Sequence, residues 1–146
     1  MARTSVAIVF IDSSVLYSAC KSKIGASALL LAYCRKGSIQ GFVSPYVITE
    51  VKRNLVHEGR EVKQRLNFFL LQTNLKIVTP INSDIARCKG AIKLRDTHIL
   101  AAALKCKAEY LITLDQKDFM QKRVKDFVKP IVIVTLRGFL KKEKLI

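Results

Sequence analysis

The stretch "YLITLDQKDF" (Tyr110–Phe119) decides the fold. Its apolar run, Tyr110 to Leu114, stops at Asp115, and Asp118 stands just behind. "VAIVFIDSSV" (Val6–Val15) repeats the pattern: the run Val6–Ile11 stops at Asp12. Continuous apolar runs rich in β-branched residues read as strands buried on both faces, the habit of parallel sheets. The carboxyl ends of parallel strands lie along one edge of the sheet, where ligands bind. Both stretches therefore place an acid where a ligand is expected.

Working outward from these runs, three more strands are predicted: Ile39–Val43, a minor one at Lys76–Thr79 stopped by Pro80, and Pro130–Val134. Helices separate them. Ser13-Ser14 offers caps for the first. Ala26–Arg35 is a compact apolar helix with Gly37 as its stop. Ser44-Pro45 is a helix start, with a Ser cap and Pro in the first turn. That helix keeps Val47, Ile48, Val51 and Leu55 on one face, and the next buries Val62, Leu66, Phe69 and Leu70. Asn82, Ser83 or Asp84 caps a helix carrying Ile85, Cys88 and Ile92. Asp96 or Thr97 opens another, with Ile99, Leu100, Ala103 and Leu104 on one face, and a last helix holds Leu136, Phe139 and Leu140. Strands alternating with helices give βαβ units and a mainly parallel sheet of about five strands, covered on both faces.

The length, 146 residues, suits one domain spanning 1–146, and half of the residues are hydrophobic, enough for a core. Pro and Gly are scarce, so no linker is expected. Lys and Arg number 26 against 11 Asp and Glu, a net charge of +15. A folded domain this basic attracts polyanions, nucleic acid first among them. No run approaches the roughly 20 apolar residues of a membrane span. Arg3 precedes an apolar run, but Asp12 cuts it short and no small-residue cleavage site follows, so no signal peptide is expected. Cys20, Cys34, Cys88 and Cys106 are too far apart for a zinc site and read as buried free thiols, which fits a reducing cytoplasm.

Four of the scarce acids can meet. Asp12 and Asp115 follow strands. Asp96 opens the helix leading into Tyr110–Leu114, and Glu50 lies early in the helix after Ile39–Val43. Crowded like charges raise one another's pKa, and a divalent cation relieves them. Mg²⁺ or Mn²⁺ takes hard oxygen ligands and keeps waters of the kind that phosphodiester hydrolysis needs. Thr113 shares a strand face with Asp115. Its hydroxyl, like that of Ser13, is a candidate to hold one of those waters.

The segments "VFIDSSVLYSA" (Val9–Ala19), "VSPYVITEVKRNL" (Val43–Leu55) and "RDTHILAAALKCKAEYLITLDQKDF" (Arg95–Phe119) together resemble the PIN domain family. Each motif alone is common; their order and spacing carry the resemblance. It implies a three-layer α/β/α sandwich and a metal-dependent nuclease, most often one acting on RNA. Asp12, Glu50, Asp96 and Asp115 would be its catalytic, metal-holding acids. Thr113 stands where the family tends to place Ser or Thr, and Asp118 is a fifth ligand, a supporting group or a surface residue. The resemblance also implies either a toxin of the VapC type, silenced by a small antitoxin in the acidic cleft, or a stand-alone RNA-processing enzyme, and it leans towards a homodimer.

Each residue has a plainer alternative. Asp12 and Asp96 are good helix caps, and Asp suits turns at 115. Glu50 has no such role, since it lies between Val47 and Val51 on a helix. Lys52, Arg53, Lys93, Arg95 and Lys117, close in sequence to the acids, are the candidate phosphate contacts, with a solvated surface as the alternative. His57 and His98 are read as non-catalytic. The competing function is a nucleic-acid-binding PIN module without catalysis. A P-loop and a Rossmann glycine motif are absent, and Ser14 stands where a haloacid-dehalogenase site needs a second Asp.

Overall fold

The structure is a computed structural model and describes residues 5–146. Arg3, and with it the question of a leader segment, lies outside the described residues. Strand β1 (Ala7–Ile11) runs straight into helix α1 (Ser13–Lys21), with Asp12 as the cap between them. Helix α2 (Ala26–Lys36) ends at Gly37, whose φ of 81° is the left-handed conformation that glycine adopts without strain. Strand β2 (Ile39–Val43) leads into α3 (Pro45–Asn54), where the Ser44 hydroxyl accepts from Val47 N at 3.2 Å. The cap and the Pro start are as the sequence predicts.

Helix α4 (Arg60–Gln72), strand β3 (Lys76–Ile77) and helix α5 (Asn82–Arg87) follow. The third strand is only two residues long, although Val78 N still reaches Val43 O at 2.9 Å. Asp84 does cap α5, but from inside: it accepts from the N–H of Ile81, the residue ahead of the helix. A 3-10 turn (Leu94–Asp96) opens α6 (Thr97–Lys105), which leads into β4 (Tyr110–Thr113). Then come α7 (Gln116–Phe119), α8 (Lys122–Val128), β5 (Val132–Thr135) and α9 (Leu136–Lys142). The fifth strand begins two residues later than Pro130, because Ile131 N turns back to Val128 O at 2.9 Å.

All five strands are parallel, in the order β3-β2-β1-β4-β5. The chain therefore starts in the middle, winds out to β3, and returns to the other side of β1 for β4 and β5. The sheet reverses its winding between β1 and β4, where Ile11 faces Ile112. Such a crossover point opens a crevice beyond the carboxyl ends of the strands. Every residue of β4 is buried, and all of β1 except the half-buried Ile8. Because successive side chains point to opposite faces, this burial means that helices cover both sides of the sheet. Three buried alanines, Ala101 to Ala103, let α6 lie close to β1.

Gly41 in β2 is a point of tight packing. A Cβ there would lie 2.7 Å from Leu75 Cδ2 and 3.1 Å from both Cys34 Sγ and Ile11 Cδ1. Overpacking of this kind costs about 1–3 kcal/mol. Gly41→Val is therefore expected to lower the unfolding free energy by that much, read as a lower urea midpoint, and Gly41→Ala by less, since the Leu75 side chain can shift. An unchanged midpoint for Gly41→Val would show that β2 does not lie that close to α2.

Candidate metal centre

Asp12 is only 5% exposed. A carboxylate this deep must be hydrogen-bonded. It accepts from Ser13 N at 2.8 Å, from the Ser14 hydroxyl at 2.9 Å and from the Thr113 hydroxyl at 2.8 Å. Burial pushes its pKa up. The hydrogen bonds from Thr113, Ser14 and Ser13 oppose that, and the Glu50 charge adds to it.

Two hydroxyls act as relays. Thr113 donates to Asp12 and accepts from Asp115 N at 2.9 Å, so it ties the end of β1 to the start of α7. Ser14 donates to Asp12 and accepts from Leu114 N at 3.0 Å. Each hydroxyl has one proton to give, and in both cases Asp12 receives it. The Thr113 hydroxyl therefore orients Asp12 directly. Asp12 takes the cap position that the sequence offers to Ser14, and the spacing of two between them brings the Ser14 hydroxyl back onto the carboxylate.

Asp96 differs. It sits at the head of α6, yet its side chain makes no capping hydrogen bond. Its Oδ2 is buried and accepts no hydrogen bond, with Lys93 Nζ 3.5 Å away as an ion-pair partner. Burial raises its pKa from 3.8 to about 6, and the Asp12 charge adds to the rise, against Lys93 and Arg95. The plain capping role thus fails for Asp96. It holds for Asp115, which accepts from Asp118 N at 3.1 Å at the start of α7. Asp118 is bonded to Lys93, which holds its pKa down.

Asp96, Asp115 and Asp118 each offer an oxygen, and these oxygens lie within 4.8 Å of one another. Asp12, Glu50, Asp96 and Asp115 all line one cavity of about 490 Å³, together with Tyr17, Asn54, Arg53, Lys93 and Arg95. The four acids singled out in the sequence do converge. The tightest triplet, however, contains Asp118 in place of Asp12 and Glu50. Tyr17 and Asn54 carry no sequence signal of their own; only the packing of α1 against α3 brings them there.

The basic candidates divide. Arg53, Lys93 and Arg95 line the acidic cavity, whereas Lys52 lines a separate hollow with Leu55, Val56 and Lys63, and Lys117 is exposed outside the cavity. His98 stacks flat on Tyr46, with ring centroids 4.5 Å apart, and His57 is exposed. Phe119 is buried under the site. Among the described residues, no single helix is long and apolar enough to cross a membrane.

The fold is shared with several solved structures. A chain of VapBC2 from Rickettsia felis, solved bound to a promoter DNA fragment, superposes with a TM-score of 0.64 at 14% identity, over 88% of this chain and 98% of that one. VapC20 of Mycobacterium tuberculosis, described as a sarcin-ricin loop cleaving toxin, gives 0.58 at 13% identity, over 75% and 91%. FitAB bound to a DNA fragment gives 0.60 at 11% identity, over 88% and 94%. No curated protein matches the sequence. The sequence model of the PIN domain matches residues 8–117, from β1 into α7 and thus through all four acids that line the cavity, and the chain belongs to the PIN domain family.

Proposed function

We propose that this protein is a metal-dependent endoribonuclease that hydrolyses RNA phosphodiester bonds at the acidic cavity. The observation that carries the reading is Asp96: its Oδ2 is buried and without a hydrogen bond, and one of its oxygens lies within 4.8 Å of an oxygen of Asp115 and one of Asp118. A buried acceptor in that state is costly unless something positive completes it. The donor set is all oxygen, which suits Mg²⁺ or Mn²⁺ over zinc or copper. Asp96, Asp115 and Asp118 would hold the ion, with Asp12 and Glu50 on the same cavity wall. Such an ion supplies charge neutralisation at the phosphate and a water of lowered pKa.

The chain's own residues do the rest. Thr113 and Ser14 fix the Asp12 carboxylate in place. Arg53 and Arg95, on the cavity wall, are suited to grip phosphate oxygens. RNA as substrate is supported by the net charge of +15 and by the shared fold of VapC20, described as a sarcin-ricin loop cleaving toxin. A small antitoxin that blocks the cavity and a second copy of the chain are the protein partners this reading implies. The free, buried thiols of Cys20, Cys34 and Cys88 suit a cytoplasmic enzyme.

Labelled RNA with Mn²⁺ should be cut by the wild type. Asp96→Asn should lower the rate by more than about 100-fold, beyond the cost of losing an outer-shell partner. Binding without cleavage by the wild type would instead support a nucleic-acid-binding module.

Stability offers a test without RNA. In the cation-free protein the Asp96 carboxyl titrates near 6, against 3.8 in the unfolded chain, so the folded state holds that proton more tightly. Its contribution is fully present below pH 4 and is lost as pH rises through 6. In chelator, the melting temperature of the wild type should therefore fall relative to Asp96→Asn between about pH 4 and 7. Mn²⁺ at pH 7 should raise the wild-type melting temperature, by about 2.7 kcal/mol of stability at 100-fold excess over Kd, and leave Asp96→Asn nearly unmoved. Identical melting curves in chelator and Mn²⁺ would rule out a metal site.

A further inference from the structure

Lys93 is the one basic residue of the cavity wall that pairs with two acids of the carboxylate triplet among the described residues. Its ammonium is bonded to Asp118 and lies 3.5 Å from Asp96 Oδ2. The second of these is the buried oxygen that accepts no hydrogen bond. Lys93 directly precedes the 3-10 turn, and Asp96 N bonds back to Lys93 O at 3.0 Å, so the backbone keeps lysine and aspartate together. The side chain itself is 37% exposed and opens onto the cavity beside Arg53 and Arg95.

We infer that Lys93 is an exchangeable counter-ion: its ammonium and a divalent cation compete for Asp96 and Asp118, and the displaced ammonium becomes a contact for RNA phosphate. This rests on the metal-dependent reading above. The choice of residue suits exchange. A lysine ammonium is a compact point charge on a flexible stem with rotatable donors, whereas an arginine fork would lock onto one carboxylate. A partly exposed ion pair is also held weakly enough to be broken. A doubly charged ion attracts the same carboxylates more strongly than a single ammonium does. Once displaced, the lysine remains tethered at the cavity mouth, where the nearest anion to find is the substrate backbone.

The consequence is coupling. If cation binding frees Lys93 for RNA, then RNA must tighten cation binding by the same factor. The protein would thus grip its substrate most firmly when the metal is in place.

Mn²⁺ is titrated calorimetrically into wild type and Lys93→Gln. Binding of a short, labelled phosphorothioate RNA is measured by anisotropy in chelator and in Mn²⁺, with circular dichroism to verify that the variant is folded. Lys93→Gln should bind Mn²⁺ more tightly, by at least about fivefold. Its RNA affinity should fall less in chelator, where the loss leaves only Asp96 and Asp118 uncompensated, than it does in Mn²⁺. In Mn²⁺ it should be weaker, with a salt slope shallower by about 1. Equal weakening in both conditions would make Lys93 a fixed phosphate contact and overturn the inference. So would an unchanged Mn²⁺ affinity. If the wild type binds no Mn²⁺ at all, the metal site itself falls, and the exchange falls with it; if the wild type binds Mn²⁺ and only the variant's behaviour departs from expectation, the metal reading stands and the exchange alone is lost.

Discussion

The Asp12 carboxylate lies 5% exposed at the junction of β1 and β4, and it accepts hydrogen bonds from Ser13 N and from the hydroxyls of Ser14 and Thr113. Removing a charge from water is among the most expensive steps in folding, and only such donors make it tolerable. The neighbouring architecture follows from that constraint. Thr113 must end β4 level with Asp12, which the register of Ile11 against Ile112 secures, and the Asp12 N–H closes on Ile112 O at 3.0 Å. The same threonine then accepts from Asp115 N and so aims the next helix. A single hydroxyl joins the central strand pair to the acidic cavity.

The acids divide into those satisfied by the protein and those left wanting. Asp12 and Asp115 serve as caps as well as cavity walls, so their local roles contribute to the fold. Asp96 has no such role, and its buried oxygen has Lys93 at 3.5 Å and the Arg95 charge nearby in place of a hydrogen bond. Evolution need not satisfy every polar atom inside a protein; groups left incomplete tend to lie where something binds. The rise of the Asp96 carboxyl to about 6 is the electrostatic form of the same incompleteness.

The surrounding charge gives the cavity its character. A chain with net charge +15 presents a positive field to any polyanion, while its small acidic centre repels the same polyanion at close range. The two requirements are reconciled where Arg53, Lys93 and Arg95 meet the carboxylates along one wall.

Much of this was legible in the linear chain because its signals are local. The apolar runs at Val6–Ile11 and Tyr110–Leu114, the Ser44-Pro45 start and the Gly37 stop each depend on backbone geometry and burial within a few residues. Their alternation was enough to set the class of fold, strand ends and helix starts grouped the four acids, and the PIN resemblance agreed with that grouping. The short β3 was overestimated, since Lys76 and Ile77 are exposed on an edge that the alternation of residues cannot reveal. Whether Asp96 capped its helix or pointed into a cavity, and whether Lys93, Lys52 or Lys117 stood near the acids, depended on contacts between separate elements, such as Lys93 with Asp118 25 positions on. Side-chain direction and long-range pairing are set by how elements pack, and packing has no local signature. The tertiary structure alone therefore decided that Asp118 joins Asp96 and Asp115, that Ser14 and Thr113 hold Asp12, and that Lys93 lies among the carboxylates.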